Sequence, residues 1–464
     1  MSAELEENII LSEVFLEILS KEDLPLLKEF LDEQNISDVV ELVNEFPEKE
    51  GLIIDTMTVH RAVSVFKLLD INQQKDIIKE LPARKTAKIL NELPPDDRTD
   101  FFEELPKAAI RDLIKLLDPE ERKITLSLLG YPDDSVGRMM TPDYVYVYPH
   151  YTVAQVLDNI RKYGKNSETI DVIYIIDELG CLVDDIRIRD LLLAKPTDII
   201  KDIIDGRYVA LNVYDDQEHA SQVFKMNNRV AIPVVDDNDV LLGIVTIDDI
   251  LWVTNEEFSE DMQKMGGTEA LNEPYLDMSI FNLFKKRITW LVVLFLGEML
   301  TATAMGYFEG EIAKVIVLTT FIPLILSSGG NTGSQASTLI IQAMSVGEIT
   351  IEDWWKILKR EIVSGLLLGL VLGVIGFFRV MVWHYIAPGF YGEHWILIAS
   401  TIGLTLVGVV IWGTITGSML PMVLKRLGAD PAVSSAPFVA TLVDVTAILI
   451  YFGLAFLFLQ GTLL

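Results

Sequence analysis

The residues that could do chemistry are acids set where acids are costly. Asp444 stands in the middle of FVATLVDVTAILIYF, and Glu298 stands inside ITWLVVLFLGEMLTATAMGYF; neither run holds a basic residue. Asp430 precedes the first of these runs, in Gly428-Ala429-Asp430-Pro431-Ala432. A charge in a bilayer interior costs at least about 2.5–3.5 kcal/mol, so by default it marks a functional site. A buried aspartate without a basic partner needs a cation or water-filled surroundings. For Glu298, a place near an interface or a hydrogen bond to a neighbouring helix explains the residue equally well. Around Asp444 the residues are small: Ser434, Ser435, Ala436, Ala440 and Thr441. They let helices approach closely or let backbone carbonyls face a pore.

A second group is the acidic run Asn255-Glu256-Glu257-Phe258-Ser259-Glu260-Asp261. Glu257, Glu260 and Asp261 fall on one helical face by their spacing. Like charges so placed destabilise a helix unless something screens them. A solvated face is the ordinary reading. A divalent cation would also serve, tying this run to its neighbours when abundant and releasing it when scarce. Hard cations take oxygen ligands, and Mg2+ keeps several of its waters.

A third group is the run Ser327-Ser328-Gly329-Gly330-Asn331-Thr332-Gly333-Ser334-Gln335. It lacks the Gly-Lys-Ser/Thr ending of a phosphate loop. In a membrane it reads either as an interrupted helix, whose exposed backbone at Gly329, Gly330 and Asn331 would line an ion path, or as close helix packing.

These residues need two kinds of scaffold. The chain has 464 residues, of which 50% are hydrophobic and 23% charged, with a formal net charge of −30. The charge is uneven: 58 acids and 31 bases precede Ile288, and 10 acids and 7 bases follow from it. An acidic soluble part is therefore fused to an apolar one. Residues 288–308, 312–345, 362–385, 395–424 and 437–459 are each long enough to cross a bilayer, which needs about 20 residues. With five spans and a cytosolic N-terminus, the inner flanks hold Lys285, Lys286, Arg287, Lys356, Lys359, Arg360, Lys425 and Arg426. The outer flanks hold Lys314 and Arg379, which fits the positive-inside rule. The C-terminus then lies outside. The second span is too long for one straight crossing, and its bend is open.

Residues 1–132 read as an all-helical repeat. Leucine recurs every 12 residues at 69, 81, 93, 105, 117 and 129, with Pro82, Pro94 and Pro106 directly after three of them. Proline suits the start of a helix, so each period is a short helix and a turn, stacking into a superhelix. Residues 133–253 hold a duplication. Val172–Leu192 and Ala231–Leu251 match at an offset of 59 without gaps, each reading strand, acidic turn, strand, helix start. This resembles a tandem pair of CBS domains. Thr246 and Asp249 fit the Thr-x-x-Asp pattern that holds a ribose in some such domains, which leaves ATP binding open. Use of the two as a helix cap is the plainer reading. Residues 254–287 connect to the membrane part, 288–464.

Several classes are excluded. A strongly acidic surface repels phosphates, so nucleic acid is not a partner. The single cysteine, Cys181, rules out a disulfide framework and a cysteine-based zinc site. MSAELEENII has neither the basic nor the apolar region of a signal peptide. No Walker, His-Glu-x-x-His or Gly-x-Ser-x-Gly motif points to an enzyme.

The order of helical repeat, CBS pair, acidic connecting helix and five spans, with Ser328–Gln335, Gly428–Ala432, Pro437-Phe438-Val439-Ala440-Thr441 and Asp444, resembles the MgtE family of magnesium channels over nearly the whole chain. The resemblance implies a homodimer in the cell's inner membrane with one pore at the dimer interface and cytoplasmic N-terminal domains. It implies that Asp444 holds hydrated Mg2+ and that Asp430 stands at the pore's cytosolic mouth. The cytosolic Mg2+ sensors would be Asp96, Asp100, the carbonyl of Gly137, Asp216, Glu218, Asp249, Glu257, Glu260 and Asp261. Bound Mg2+ would hold the connecting helix against the pore and close it. The chain departs from the family at Ser64, Asn228 and Trp252, where acids can stand, and at Ala436, where an asparagine can line the pore. Two other readings are a transporter of another divalent cation such as Co2+, and a membrane-tethered nucleotide sensor without transport. The absence of histidine and cysteine from the spans' interiors argues against a soft-metal specialist.

Overall fold

The computed structural model describes residues 2–21, 23–271, 274–276, 278–310, 315–387, 389–460 and 462, with side chains from Leu11 onward. The chain divides into two compact units, Met1–Thr254 and Asn255–Leu464.

The first unit opens with the expected helical repeat. Helices Ile71–Glu80, Ala83–Glu92, Pro95–Glu103, Lys107–Leu113 and Pro119–Leu128 follow the 12-residue period. Pro82, Pro94 and Pro106 are the N-caps of three of them, where no amide is needed inside the helix. The repeating leucines point inward: Leu69, Leu81, Leu93 and Leu117 are buried, and Leu105 and Leu129 pack at the edge of the same core. One cation is buried among them. The Arg98 side chain donates to the carbonyls of Leu90 (3.1 Å) and Leu93 (3.3 Å), to Thr125 Oγ1 (2.8 Å) and to Glu121 Oε2 (2.5 Å). It ties helices Ala83–Glu92, Pro95–Glu103 and Pro119–Leu128 together.

The duplication follows as two three-stranded sheets. Strands β1 (Tyr146–Val147), β2 (Val172–Ile176) and β3 (Leu182–Arg187) form one; β4 (Leu211–Asn212), β5 (Ala231–Val235) and β6 (Leu241–Thr246) form the other. In each, the first pair is parallel and the second antiparallel. The registers correspond: Val172 faces Arg187 as Ala231 faces Thr246, with a shift between Ile175 and Ile176 and between Val234 and Val235. β2 and β5 are buried along their whole length, as their unbroken apolar sequences require. The two hairpins join through backbone bonds from Leu182 to Asp239 (2.8 Å) and from Leu241 to Gly180 (3.1 Å).

Among the described residues, five helices are long and apolar enough to cross a membrane: Ile280–Tyr307, Ile316–Ser345, Ile351–Ile386, Trp395–Arg426 and Ala436–Leu459. These are the first to fifth spans. The second begins as a 3-10 segment, Ile316–Phe321, and becomes an α-helix at Ile322, with Pro323 in its first turn. Its change of geometry therefore sits at the proline, and the run Ser327–Gln335 is continuous helix, not an interruption. Lys314, counted on the outer flank, lies outside the described residues.

Glycine sets how closely these helices pack. A methyl group at Gly413 of the fourth span would sit 2.6 Å from the carbonyl oxygen of Gly329 in the second. One at Gly373 of the third would sit 2.6 Å from the Gly403 carbonyl of the fourth. These backbones touch because no side chain separates them, which is how helices gain contact area in lipid. The first span is the outlier, with Thr301 its only buried residue.

Candidate functional site

In the second unit, the fifth span carries Asp444, half-buried, on the side facing the glycine run of the second span. A methyl group at Gly330 would lie 3.3 Å from Ala440 Cβ and 3.6 Å from Asp444 Oδ1. Gly330 and Ala440 thus leave the space beside the carboxylate. Asn331, next in the second span, is exposed, with its amide donating to Ser327 Oγ (3.2 Å). Gly329 is different: it is buried, and a Cβ there would press on Val443 Cγ1 at 2.9 Å. Within one chain it packs against the fourth and fifth spans. The start of the fifth span is pinned by hydroxyls of the second, Ser334 Oγ to the Ala436 carbonyl and Ser337 Oγ to the Ser434 carbonyl, both 2.9 Å. Ala436 therefore presents its carbonyl to Ser334.

Asp430 caps the short turn Pro431–Val433, accepting from the Ala432 amide at 2.8 Å. Its other oxygen accepts from Lys264 Nζ at 2.7 Å. Lys264 also pairs with Glu260, one helical turn before it. Burial pulls the Lys264 pKa down, but hydrogen bonds to Asp430 and Glu260 outweigh it and hold it above the ordinary lysine value. One ammonium thus joins two of the acids expected to hold metal. Glu257, Glu260, Asp261 and Lys264 are all half-buried, so the expected acidic face exists and is turned inward. The helix bearing them, Ile247–Met265, ends at Gly267, whose φ of +76° suits glycine. A Cβ there would meet Pro437 Cγ at 3.3 Å, so this end lies against the start of the fifth span. Sequence reasoning missed Lys264; its spacing of four from Glu260 was the available signal.

In the first unit a second set of acids converges. Asp96 is 4% exposed, and its Oδ1 has no hydrogen-bond partner. Burial, then the charges of Asp249, Asp97, Glu168 and Asp100, push its pKa well above the carboxylate range. Asp249 accepts from the Thr246 hydroxyl at 2.6 Å. Burial nevertheless raises Asp249 to about 7, with Asp248 and Asp97 adding to it. Lys67 answers part of this charge, pairing with Asp97 at 3.4 Å. Asp100 is exposed and acts on Asp96 through its charge. Asp216 and Glu218 lie exposed at the start of helix Gln217–Asn227, where Asp216 accepts from the Glu218 amide at 2.8 Å. Asn228 ends that helix at φ 49°, a left-handed conformation that asparagine tolerates. Gly137 is buried, and a Cβ there would strike Tyr131 Cγ at 2.6 Å. Among the described residues, no three His, Cys, Asp or Glu side chains stand together as a metal cage. Mg2+ binds through one or two carboxylates and keeps its waters, so the orphaned oxygen of Asp96 beside Asp249 fits such an ion.

The sign of the pH effect follows. A carboxylate raised in the folded state binds protons there that the unfolded chain does not bind between about pH 4 and 7. Stability of the metal-free protein therefore falls as pH rises through that window. Glu50, raised to about 7 by burial and by Asp76, Glu80 and Asp70, acts in the same direction. Thermal scans should show a higher melting temperature at pH 5 than at pH 8, and Mg2+ should restore stability mainly at pH 8. Asp96→Asn should weaken both effects; an unchanged Mg2+ response in that variant would contradict the assignment.

Comparison with known proteins agrees with this architecture. Residues 12–134 match the family described as "MgtE intracellular N domain", residues 136–196 and 200–255 match the CBS domain, and residues 322–454 match "MgtE: Divalent cation transporter". The magnesium transporter MgtE of Thermus thermophilus is 36% identical over 354 residues, covering 76% of each chain. That of Bacillus subtilis is 29% identical over 433 residues, covering 93% of each. The crystal structure of the cytosolic domain of the Mg2+ channel MgtE in complex with ATP superposes with a TM-score of 0.51 at 32% identity, covering 52% of this chain and 99% of that one. With its helical N domain, CBS pair and five spans around Asp444, this chain belongs to the MgtE family of divalent cation transporters.

Proposed function

We propose that this protein carries Mg2+ across the cell membrane as a channel, and that Mg2+ on its cytoplasmic face closes it. The observation that carries the reading is Asp444, half-buried in the fifth span beside Gly330 and Ala440, on a helix without a basic residue. An anionic site of this kind attracts a hydrated divalent cation without stripping all its water. The membrane potential supplies the drive, about 2.3 kcal/mol per charge per 100 mV, hence twice that for Mg2+. Relatives named as magnesium transporters support the choice of ion. Co2+ is the competing cargo.

The path runs between two copies of the chain, with Gly330, Asn331, Ala436 and Ala440 lining it and Asp430 at its cytoplasmic mouth. The N-terminal unit lies in the cytoplasm and the C-terminus outside, as the basic flanks of the spans favour.

Closure rests on the acids. Cytoplasmic Mg2+ at Asp96 and Asp249, with Asp100, Gly137, Asp216 and Glu218 around it, would neutralise a first unit that otherwise repels itself. Mg2+ at Glu257 and Asp261 would do the same for the connecting helix. Lys264 already holds Glu260 to Asp430, so this helix starts close to its closed position. ATP at the CBS pair is a further regulator, supported by the ATP complex of the related cytosolic domain.

The test is Mg2+ flux in proteoliposomes with Mg2+ varied on the cytoplasmic face. Asp96→Asn with Asp249→Asn should raise the closing concentration about tenfold, within the usual range of allosteric coupling. An unchanged closing concentration would remove these acids from the gate.

A further inference from the structure

Glu298 is a carboxylate in the interior of a span that the pathway described above does not use. It lies near the middle of the first span's apolar run, and it is exposed on that helix. One contact brings it near Asp444. A methyl group at Gly297 would lie 3.7 Å from Thr441 Cβ, so the first and fifth spans touch one residue before Glu298 and one turn before Asp444. The two helices cross in the same direction, so one turn beyond this contact Thr301 comes level with Asp444. Thr301 is 5% exposed, and its hydroxyl has no hydrogen-bond partner. Two carboxylates and an unsatisfied hydroxyl therefore lie within about one turn of this contact, on helices whose apolar runs hold no basic residue.

Like charges so close in a medium of low dielectric cannot both stay ionised without a counter-charge. Lipid supplies none. We propose that Glu298 is a second cation-holding carboxylate of the pathway, acting with Asp444 and the Thr301 hydroxyl on one hydrated divalent cation. Thr301 offers an oxygen to the ion's water shell, and Glu298 adds charge at the same depth. The pair raises the site's preference for a divalent over a monovalent ion, because two fixed charges match one divalent ion. The inference rests on the transport reading above.

The test uses the full chain in proteoliposomes, with Mg2+ entry driven by a potassium diffusion potential and external Mg2+ varied. Glu298→Gln keeps shape and removes charge. It should raise the half-saturating Mg2+ concentration by about tenfold or more, the usual cost of losing a group that acts on a metal through its waters. It should also admit more Na+ relative to Mg2+. Glu298→Asp should recover much of the wild-type behaviour. A Glu298→Gln protein that saturates at the wild-type concentration and excludes Na+ equally would overturn the inference. So would equal loss of flux in the Gln and Asp variants, since that marks a packing role. Absence of flux in wild type, or wild-type flux in Asp444→Asn, would instead remove the transport reading itself.

Discussion

Alanine at position 444 is expected to bring Mg2+ flux through the reconstituted protein down to that of protein-free vesicles. The reasoning is electrostatic. A divalent ion crossing the bilayer loses most of its surrounding water, and a fixed charge at mid-span offsets that loss. If the carboxylate stabilises the passing ion by as much as a charge costs at this depth, about 2.5–3.5 kcal/mol, its removal slows passage roughly 100-fold or more. The alanine also leaves Gly330 and Ala440 facing an apolar gap, which disfavours water. Folding should not suffer. Asp444 stands on a span without a basic residue, so the substitution breaks no ion pair within that helix. Thermal melting in detergent should be unchanged or raised while flux vanishes. Loss of flux together with a collapsed melting temperature would mean that the residue serves the fold.

Arg98→Ala should have the opposite profile: a large loss of stability in the first unit with no direct part in ion passage. The guanidinium is fully buried and satisfies two backbone carbonyls, Thr125 and Glu121. Removing the guanidinium leaves two backbone carbonyls that it now satisfies short of a partner, at about 1–3 kcal/mol each, while Glu121 can turn to water. Denaturant unfolding of the full chain in detergent, followed by far-ultraviolet circular dichroism, would show the first unit melting early. A loss below about 1 kcal/mol, the value of an exposed ion pair, would contradict the reading. Arg98→Lys should rescue little, since an ammonium cannot reach four acceptors from one position.

Much of this was legible in the residues. The 12-residue leucine period with its prolines, the 59-residue offset of the duplicated strands and the five apolar runs each describe local structure, and each reappears in place. Local pattern decides such features because each repeats a hydrogen-bonding or burial requirement within one turn or one strand. The glycine run was ambiguous for a physical reason. Glycine serves a broken helix and a tightly packed one alike, and only the neighbouring backbone at Gly413 decides between them. Pairings across long sequence distance were not legible. Lys264 with Asp430, Lys67 with Asp97, and Gly297 with Thr441 join residues 30 to 166 positions apart. Nothing in the local pattern distinguishes a lysine on a solvated face from one that holds two helices together.

The most direct measurement is Mg2+ entry into proteoliposomes, wild type against Asp444→Ala, at low and at high Mg2+ on the cytoplasmic face. The account predicts flux in wild type that falls as cytoplasmic Mg2+ rises, and none in the variant at either concentration. Equal flux in the two proteins, or wild-type flux indifferent to cytoplasmic Mg2+, would contradict it.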